Sequence, residues 1–266
     1  MIADLEKLLV EPAVAVRVDA AKGSTPREED ALMVVSENAV TGTIGGGQLE
    51  YMAIDEARRM LRDDIFEATL RLPLGPEIGQ CCGGNVTLTL SRVTNVDALL
   101  EDVRDYHSQE PNVYVFGAGH VGKALAAALS LLPVKVHVVD TREMELSAVC
   151  EHVQKHLVAM PEMLVREAPK GSAFVTMTHD HAGDFLIVAE ALKRKDAAYI
   201  GMIGSATKRK QFERWFLTEG GEASDFIRLT SPIGGKSKDK RPAVIAAMVA
   251  AEIMTVLAPS PTKVKA

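Results

Sequence analysis

The mid-chain turn Gly117-Ala118-Gly119-His120-Val121-Gly122 is made of residues that can hold phosphate, because each glycine removes a side chain where the backbone must turn, approach or pack. Gly117 allows the tight turn, Gly119 lets the backbone come close to a pyrophosphate, and Gly122 lets the next helix lie against the preceding strand. The amides at that helix start would face the anion. The apolar stretch Val113 to Phe116 precedes the turn and an alanine-rich helix follows it. A second apolar strand, Val134 to Val139, then ends at Asp140, about 20 residues on, where an acid usually receives a ribose 2′-hydroxyl.

Two further loops leave strands at the same edge and would converge on the same ligand: Thr178-His179-Asp180-His181 and Gly204-Ser205-Ala206-Thr207-Lys208-Arg209. Ser205 is placed to cap the following helix, whose start, with Lys208 and Arg209, attracts an anion. Read as plain structure, the same residues make a capped helix with a solvated basic face. His179, His181 and Asp184 are types that bind divalent metal, yet alternate positions in a loop fix no common face. Hydrogen bonding to a ligand, or helix capping by Asp180, is the preferred expectation.

Cys82, followed by Gly83-Gly84, has small neighbours that leave a thiolate accessible as a nucleophile or soft metal ligand. A buried, gap-filling cysteine is the alternative, and Cys81 is its rival. No histidine stands near in sequence to activate it, which speaks against a protease-like dyad. Gly45-Gly46-Gly47 precedes a helix that begins at Gln48 and carries Glu50. Consecutive glycines turn amides inward to form an anion cradle, or simply supply positive φ angles.

The elements that position these groups follow from periodicity. A helix Ile2–Leu9, a strand Val14–Ala20 and a strand Ala31–Ser36 with a hairpin at Asn38 open the chain, and a helix from Gln48 to Arg62 follows. Strands are predicted at Phe66–Leu72 and Asn85–Leu90, and a helix at Val96–Ser108. Beyond Glu110-Pro111 strands alternate with helices: Phe174–Thr178, Asp184–Lys193, Tyr199–Ile203, Thr207–Leu217 and a last helix Pro242–Leu257. The expected fold is α/β, with a smaller α+β domain over residues 1–109 and a Rossmann-like, doubly wound parallel sheet over 110–266.

The 266 residues carry 30 basic and 36 acidic side chains, a net charge of −6, which advertises no nucleic-acid partner. The longest apolar run, Ala243 to Ala258, is interrupted by Glu252 and falls short of the roughly 20 residues a bilayer span needs. With three cysteines, no disulfide framework, and no signal-peptide pattern at the start, a cytoplasmic protein is expected.

Taken in order, Gly23-Ser24-Thr25-Pro26-Arg27, Met33, Gly42 to Glu50, Cys82-Gly83-Gly84, Phe116 to Gly122, Thr178 to His181, Gly201 to Ser205 and Pro232-Ile233-Gly234 resemble the XdhC/CoxI family over nearly the whole chain. The family comprises accessory proteins that mature xanthine dehydrogenase and related molybdenum hydroxylases. The resemblance implies a molybdenum cofactor chaperone that holds the cofactor while a cysteine desulfurase supports its sulfuration, and then delivers it to the apoenzyme. It further implies that Ser24, Arg27, Gly45, Gly46, Gly47, Gln48, Glu50, Cys82, Gly117, Gly119, His120, Gly122, Asp140, His179, Asp180, Gly204, Ser205 and Lys208 surround the cofactor, with Cys82 facing the metal. Glu50 would meet a pterin edge or orient the preceding glycines. Asp30 stands where the family commonly has glycine, and aspartate tolerates left-handed backbone better than most residues. A homodimer is expected from the alternating N-terminal strands. The rival reading is an NAD(P)-dependent oxidoreductase with Asp140 on the ribose and His179 as general acid; it lacks a substrate domain and leaves the N-terminal glycine loops unexplained.

Overall fold

A computed structural model describes residues 2–22, 29–75, 84–235 and 239–257. The chain divides into two compact units, Met1–Ser108 and Gln109–Ala266.

In the first unit β1 (Ala13–Lys22), β2 (Leu32–Ser36), β3 (Val40–Gly42), β4 (Glu67–Pro73) and β5 (Asn85–Arg92) form an antiparallel sheet of order β3-β2-β1-β5-β4. Helix α2 (Gly47–Arg62) lays Leu49, Ala53, Ala57 and Met60 on the face that presents Val14, Val16 and Val18. The other face packs Ala13 and Val34 against α1 (Ile2–Leu8) and α3 (Val96–Ser108). The alternation along β1 is the cause: a period of two sends successive side chains to opposite faces. Asp30, in the turn before β2, adopts φ 69°, the left-handed backbone that aspartate tolerates better than most residues.

The second unit is a parallel sheet of order β11-β10-β9-β6-β7-β8, built from β6 (Asn112–Phe116), β7 (Lys135–Asp140), β8 (Gln154–Leu157), β9 (Ala173–Thr176), β10 (Tyr199–Met202) and β11 (Leu229–Thr230). The order reverses at β6, which lies between β7 and β9, so this is a doubly wound Rossmann-type sheet with its switch point between β6 and β9. Both faces are covered. Val113 and Val115 point toward α4 (His120–Leu129) and α10 (Pro242–Leu257), while Tyr114 and Phe116 point toward α7 (His181–Lys193) and α8 (Ala206–Thr218). Burial on both faces is why these strands read as near-continuous apolar runs.

Sequence periodicity does not show α5 (Glu143–Ser147), β8, α6 (Pro161–Glu167), α9 (Ala223–Phe226) or β11. Each is short, and β8, Gln-Lys-His-Leu at the sheet edge, is largely exposed, so no apolar run marks it.

One buried polar cluster belongs to the sheet itself. His137, 7% exposed, stacks on Tyr114 with ring centroids 4.3 Å apart. Its Nε2 lies 2.9 Å from Asn112 Oδ1 and its Nδ1 3.1 Å from His156 Nε2. An acceptor oxygen at Nε2 fixes the proton there, leaving Nδ1 to accept from His156. Burial, with His156 and Lys135 adding to it, pushes the His137 imidazole down to about 4. Since the unfolded imidazole takes its proton near pH 6.5, the unfolded state binds more protons between 6.5 and 4, and stability falls as pH drops through that window. A loss on the order of 3 kcal/mol is expected by pH 4. Urea unfolding across this range should show the slope, and His137→Gln should flatten it; an unchanged slope in the variant would contradict the assignment.

Candidate functional site

The carboxyl edge of the parallel sheet gathers the phosphate-binding features. Gly117 has φ 110°, and a Cβ there would stand 2.5 Å from the Met177 carbonyl oxygen. A Cβ on Gly122 would stand 1.8 Å from the Gly117 carbonyl oxygen. Backbone packs on backbone at both positions, which closes the β6 turn against the β9 loop and seats α4 on the strand. Gly119 differs: no atom lies within 4 Å of where its Cβ would be. The turn therefore leaves open space at the one glycine that a pyrophosphate would approach, and His120 is exposed beside it.

Asp140 closes the turn from the other side. Its Oδ2 accepts from the Ala118 amide at 2.6 Å and from the Arg142 guanidinium at 2.9 Å; its Oδ1 accepts from the Arg142 amide and Nε, each at 3.0 Å. Burial alone would raise this carboxyl, but the Arg142 guanidinium and the two amides outweigh it and hold it below the usual carboxylate range. Asp140 stands where an acid for a ribose is expected. In the structure both of its oxygens are engaged within the protein, by the Ala118 amide and by Arg142 two residues on. Arg142 also lies 3.8 Å from Glu145, which bonds Lys123 of α4 at 2.6 Å, so these charges tie the turn to α5.

The β9 loop is organised by Asp184. This carboxylate is 0% exposed and accepts from the Thr178 amide at 2.9 Å, from the Thr178 hydroxyl and from Lys208, itself 6% exposed. Lys208, expected to draw an anion, has its ammonium turned inward onto Asp184, and Asp184 is correspondingly unavailable to His179 and His181. Both histidines are exposed, and among the described residues no group of three or more His, Cys, Asp or Glu could hold a metal ion. Asp180 caps α7 by accepting from the Ala182 and Gly183 amides, and Ser205, after Gly204, caps α8 by accepting from the Lys208 amide at 3.2 Å. The Asp184–Lys208 pair carries no sequence signal, since it is made by topology between separate helices, whereas Arg142 reaches Asp140 from only two residues away.

In the first unit, Gly45, Gly46 and Gly47 have φ of 126°, 79° and 66°. Glu50 Oε1 accepts from the Thr43 hydroxyl and from the amides of Ile44 at 3.0 Å and Gly45 at 3.2 Å. Burial raises the Glu50 carboxyl, but Thr43 and the amides of Gly46, Ile44 and Gly45 prevail and hold it below its ordinary value. Glu50 orients the glycine loop, since the amides of Ile44 and Gly45 donate to the chain's own carboxylate. Gln48 is exposed beside it. Glu50→Ala strands these donors, and a loss of about 1–3 kcal/mol is expected, read as a lower midpoint in thermal unfolding of the first unit. An unshifted midpoint would show that water satisfies the cradle equally well.

Ser24, Arg27, Cys81 and Cys82 lie outside the described residues. Cys150 is half-buried against the α4 and α10 side of the sheet. Among the described residues no helix is long and apolar enough to cross a membrane.

Fold and edge together define a chain with a Rossmann-type unit whose glycine turn is open to a phosphate-bearing ligand. Residues 113–253 match the XdhC Rossmann domain and residues 10–72 the XdhC and CoxI family, so the chain belongs to the XdhC/CoxI family. It is 27% identical over 256 residues to the uncharacterized protein YqeB of Escherichia coli (strain K12), covering 92% of this chain and 43% of that protein. The chain thus spans less than half the length of that relative. A solved structure of a xanthine dehydrogenase from Bacillus halodurans has the same fold, with a TM-score of 0.80 over 98% of each chain at 20% identity.

Proposed function

We propose that the chain is a maturation factor for a molybdenum hydroxylase of the xanthine dehydrogenase type. It binds molybdenum cofactor, protects it while a cysteine desulfurase supports its sulfuration, and delivers it to the apoenzyme. Family membership supports the reading, and the observation that carries it over the rival is the commitment of Asp140 to Arg142 and the Ala118 amide. A dehydrogenase specific for NAD would need an acceptor for the ribose at that position.

The phosphate end of the cofactor fits the space at Gly119, where a side chain would meet no protein atom. Gly117 and Gly122 shape the turn, and the start of α4 faces the anion. Asp140 and Asp184 hold the two flanking loops in place rather than touching the ligand. When bound, the cofactor supplies the molybdenum and dithiolene of the target's redox centre; this chain's part is to bind, orient and shield. Cys82 is proposed as the thiolate that binds the metal, Ser24 and Arg27 as further cofactor-binding residues, and a homodimer as the working form.

The purified chain, given cofactor and a sulfur donor, should activate a molybdenum hydroxylase apoenzyme and show no steady NAD- or NADP-linked oxidation of hypoxanthine or simple alcohols. Cys82→Ser should empty it of molybdenum while Cys81→Ser and Cys150→Ser remain loaded. Nicotinamide turnover with no effect on apoenzyme activation would decide for the oxidoreductase.

A further inference from the structure

We propose that a cavity in the first unit binds a free α-amino acid, holding its carboxylate on Arg62 and its ammonium on Glu37. The cavity belongs wholly to that unit, and neither its ligand nor its test involves the glycine turn or molybdenum cofactor.

The cavity, about 230 Å³, lies at the end of the antiparallel sheet where β1 starts and β2 and β5 finish. Its walls are Glu11 and Pro12 ahead of β1, Glu37 in the β2–β3 hairpin, Leu61 and Arg62 at the end of α2, and Arg92 at the end of β5. Strand register brings these segments together, since Ala13 pairs with Ser36 and Val14 with Arg92. The volume is below the roughly 300–1,000 Å³ of pockets for drug-sized ligands, so it suits a single amino acid rather than a peptide or a nucleotide.

The lining holds two acids and two arginines, and these do not neutralise one another. Arg92 is turned onto Asp64 and lies over the Phe66 ring, 5.4 Å from its centroid. Glu11 accepts from the Asn38 side-chain amide at 3.3 Å, which ties the turn before β1 to the hairpin. Glu37 and Arg62 are exposed, and neither side chain has a hydrogen bond or ion pair with any described residue, the other included. A carboxylate and a guanidinium therefore face one cavity at more than the 4 Å over which they would pair. The complement of that arrangement is a small molecule carrying both charges. A guanidinium fork takes a carboxylate through two parallel N–H bonds, and a carboxylate accepts from an ammonium. Inorganic phosphate would meet both acids, and a metal cation both arginines, so neither matches the whole lining. Pro12 and Leu61 supply apolar surface, which favours an aliphatic side chain.

Leucine is the probe, titrated against the full-length chain by ligand-detected NMR. Two analogues each keep one charge: 4-methylpentanoate lacks the ammonium and 3-methylbutylamine lacks the carboxylate. Leucine is expected to bind with a dissociation constant on the order of 1 mM and about tenfold tighter than either analogue, since each lost partner removes a charge-assisted hydrogen bond. Arg62→Gln should bind leucine no better than the amine, and Glu37→Gln no better than the acid. Both positions are exposed and unpaired, so each variant should keep the parental melting curve, which separates lost binding from lost folding. Leucine bound no tighter than its analogues, an affinity that survives both substitutions, or no saturable binding at all would overturn the proposal.

Discussion

Lys208→Met should destabilise the Rossmann unit by about 3–5 kcal/mol, because it removes the cation from a carboxylate that has no water to turn to. Asp184 is 0% exposed, and its partners are the Thr178 amide, the Thr178 hydroxyl and Lys208 alone among the contacts formed. Two neutral donors do not compensate a full buried charge. The consequence reaches the glycine turn, since Asp184 is what fixes Thr178, whose Cα lies 2.9 Å from where a Gly117 Cβ would stand. Urea unfolding measures the loss, and Asp184→Asn combined with Lys208→Met tests its origin. With the charge gone from both sides, the double variant should recover much of the stability that Lys208→Met loses. A single variant within about 1 kcal/mol of the parent would mean the pair is far more hydrated than its burial implies.

This pair also marks where sequence stops being readable. The strands of the second unit are legible because both sheet faces are covered, so Val113 to Phe116 stay apolar through successive residues and β7 keeps Val136, Val138 and Val139. Helices α3 and α10 are legible in their full extent, Val96–Ser108 and Pro242–Leu257: the polar α3 stops just ahead of Glu110-Pro111, and the apolar α10 begins at a proline. The glycine turn is legible because backbone packed on backbone admits no other residue at Gly117 and Gly122. The partners of charged groups are not. Asp140 sits where a ribose acid is expected, and only the fold shows that Arg142, at the start of α5, wraps back onto it. Lys208 reads as part of a basic helix start with Arg209, and only the packing of α8 beside α7 turns it onto Asp184. Glu50 is the intermediate case, because a glycine run just ahead of it places amides within reach along the chain itself.

The sharpest separation of folding from binding lies within one turn, between Gly122→Ala and Gly119→Val. At Gly122 a single Cβ would meet the Gly117 carbonyl oxygen at 1.8 Å, and no rotamer relieves a clash with backbone. The strand and helix must part, and a loss of roughly 3 kcal/mol or more is expected. At Gly119 the backbone has φ −70° and ψ −170°, ordinary extended geometry at the position that caps α4, and the Cβ enters open space. Valine there should cost no more than about 1 kcal/mol as a poor cap. Its methyl groups would nevertheless stand in the space a phosphate needs, between the anion and the amides at the start of α4. Protein purified from a molybdenum-replete host should therefore show, for Gly119→Val, a near-parental melting curve and a loss of pterin fluorescence after acid oxidation. Gly122→Ala should lose both together. A folded Gly119→Val chain with parental pterin content would place the cofactor away from this turn, and the open space beside Gly119 would then need another occupant.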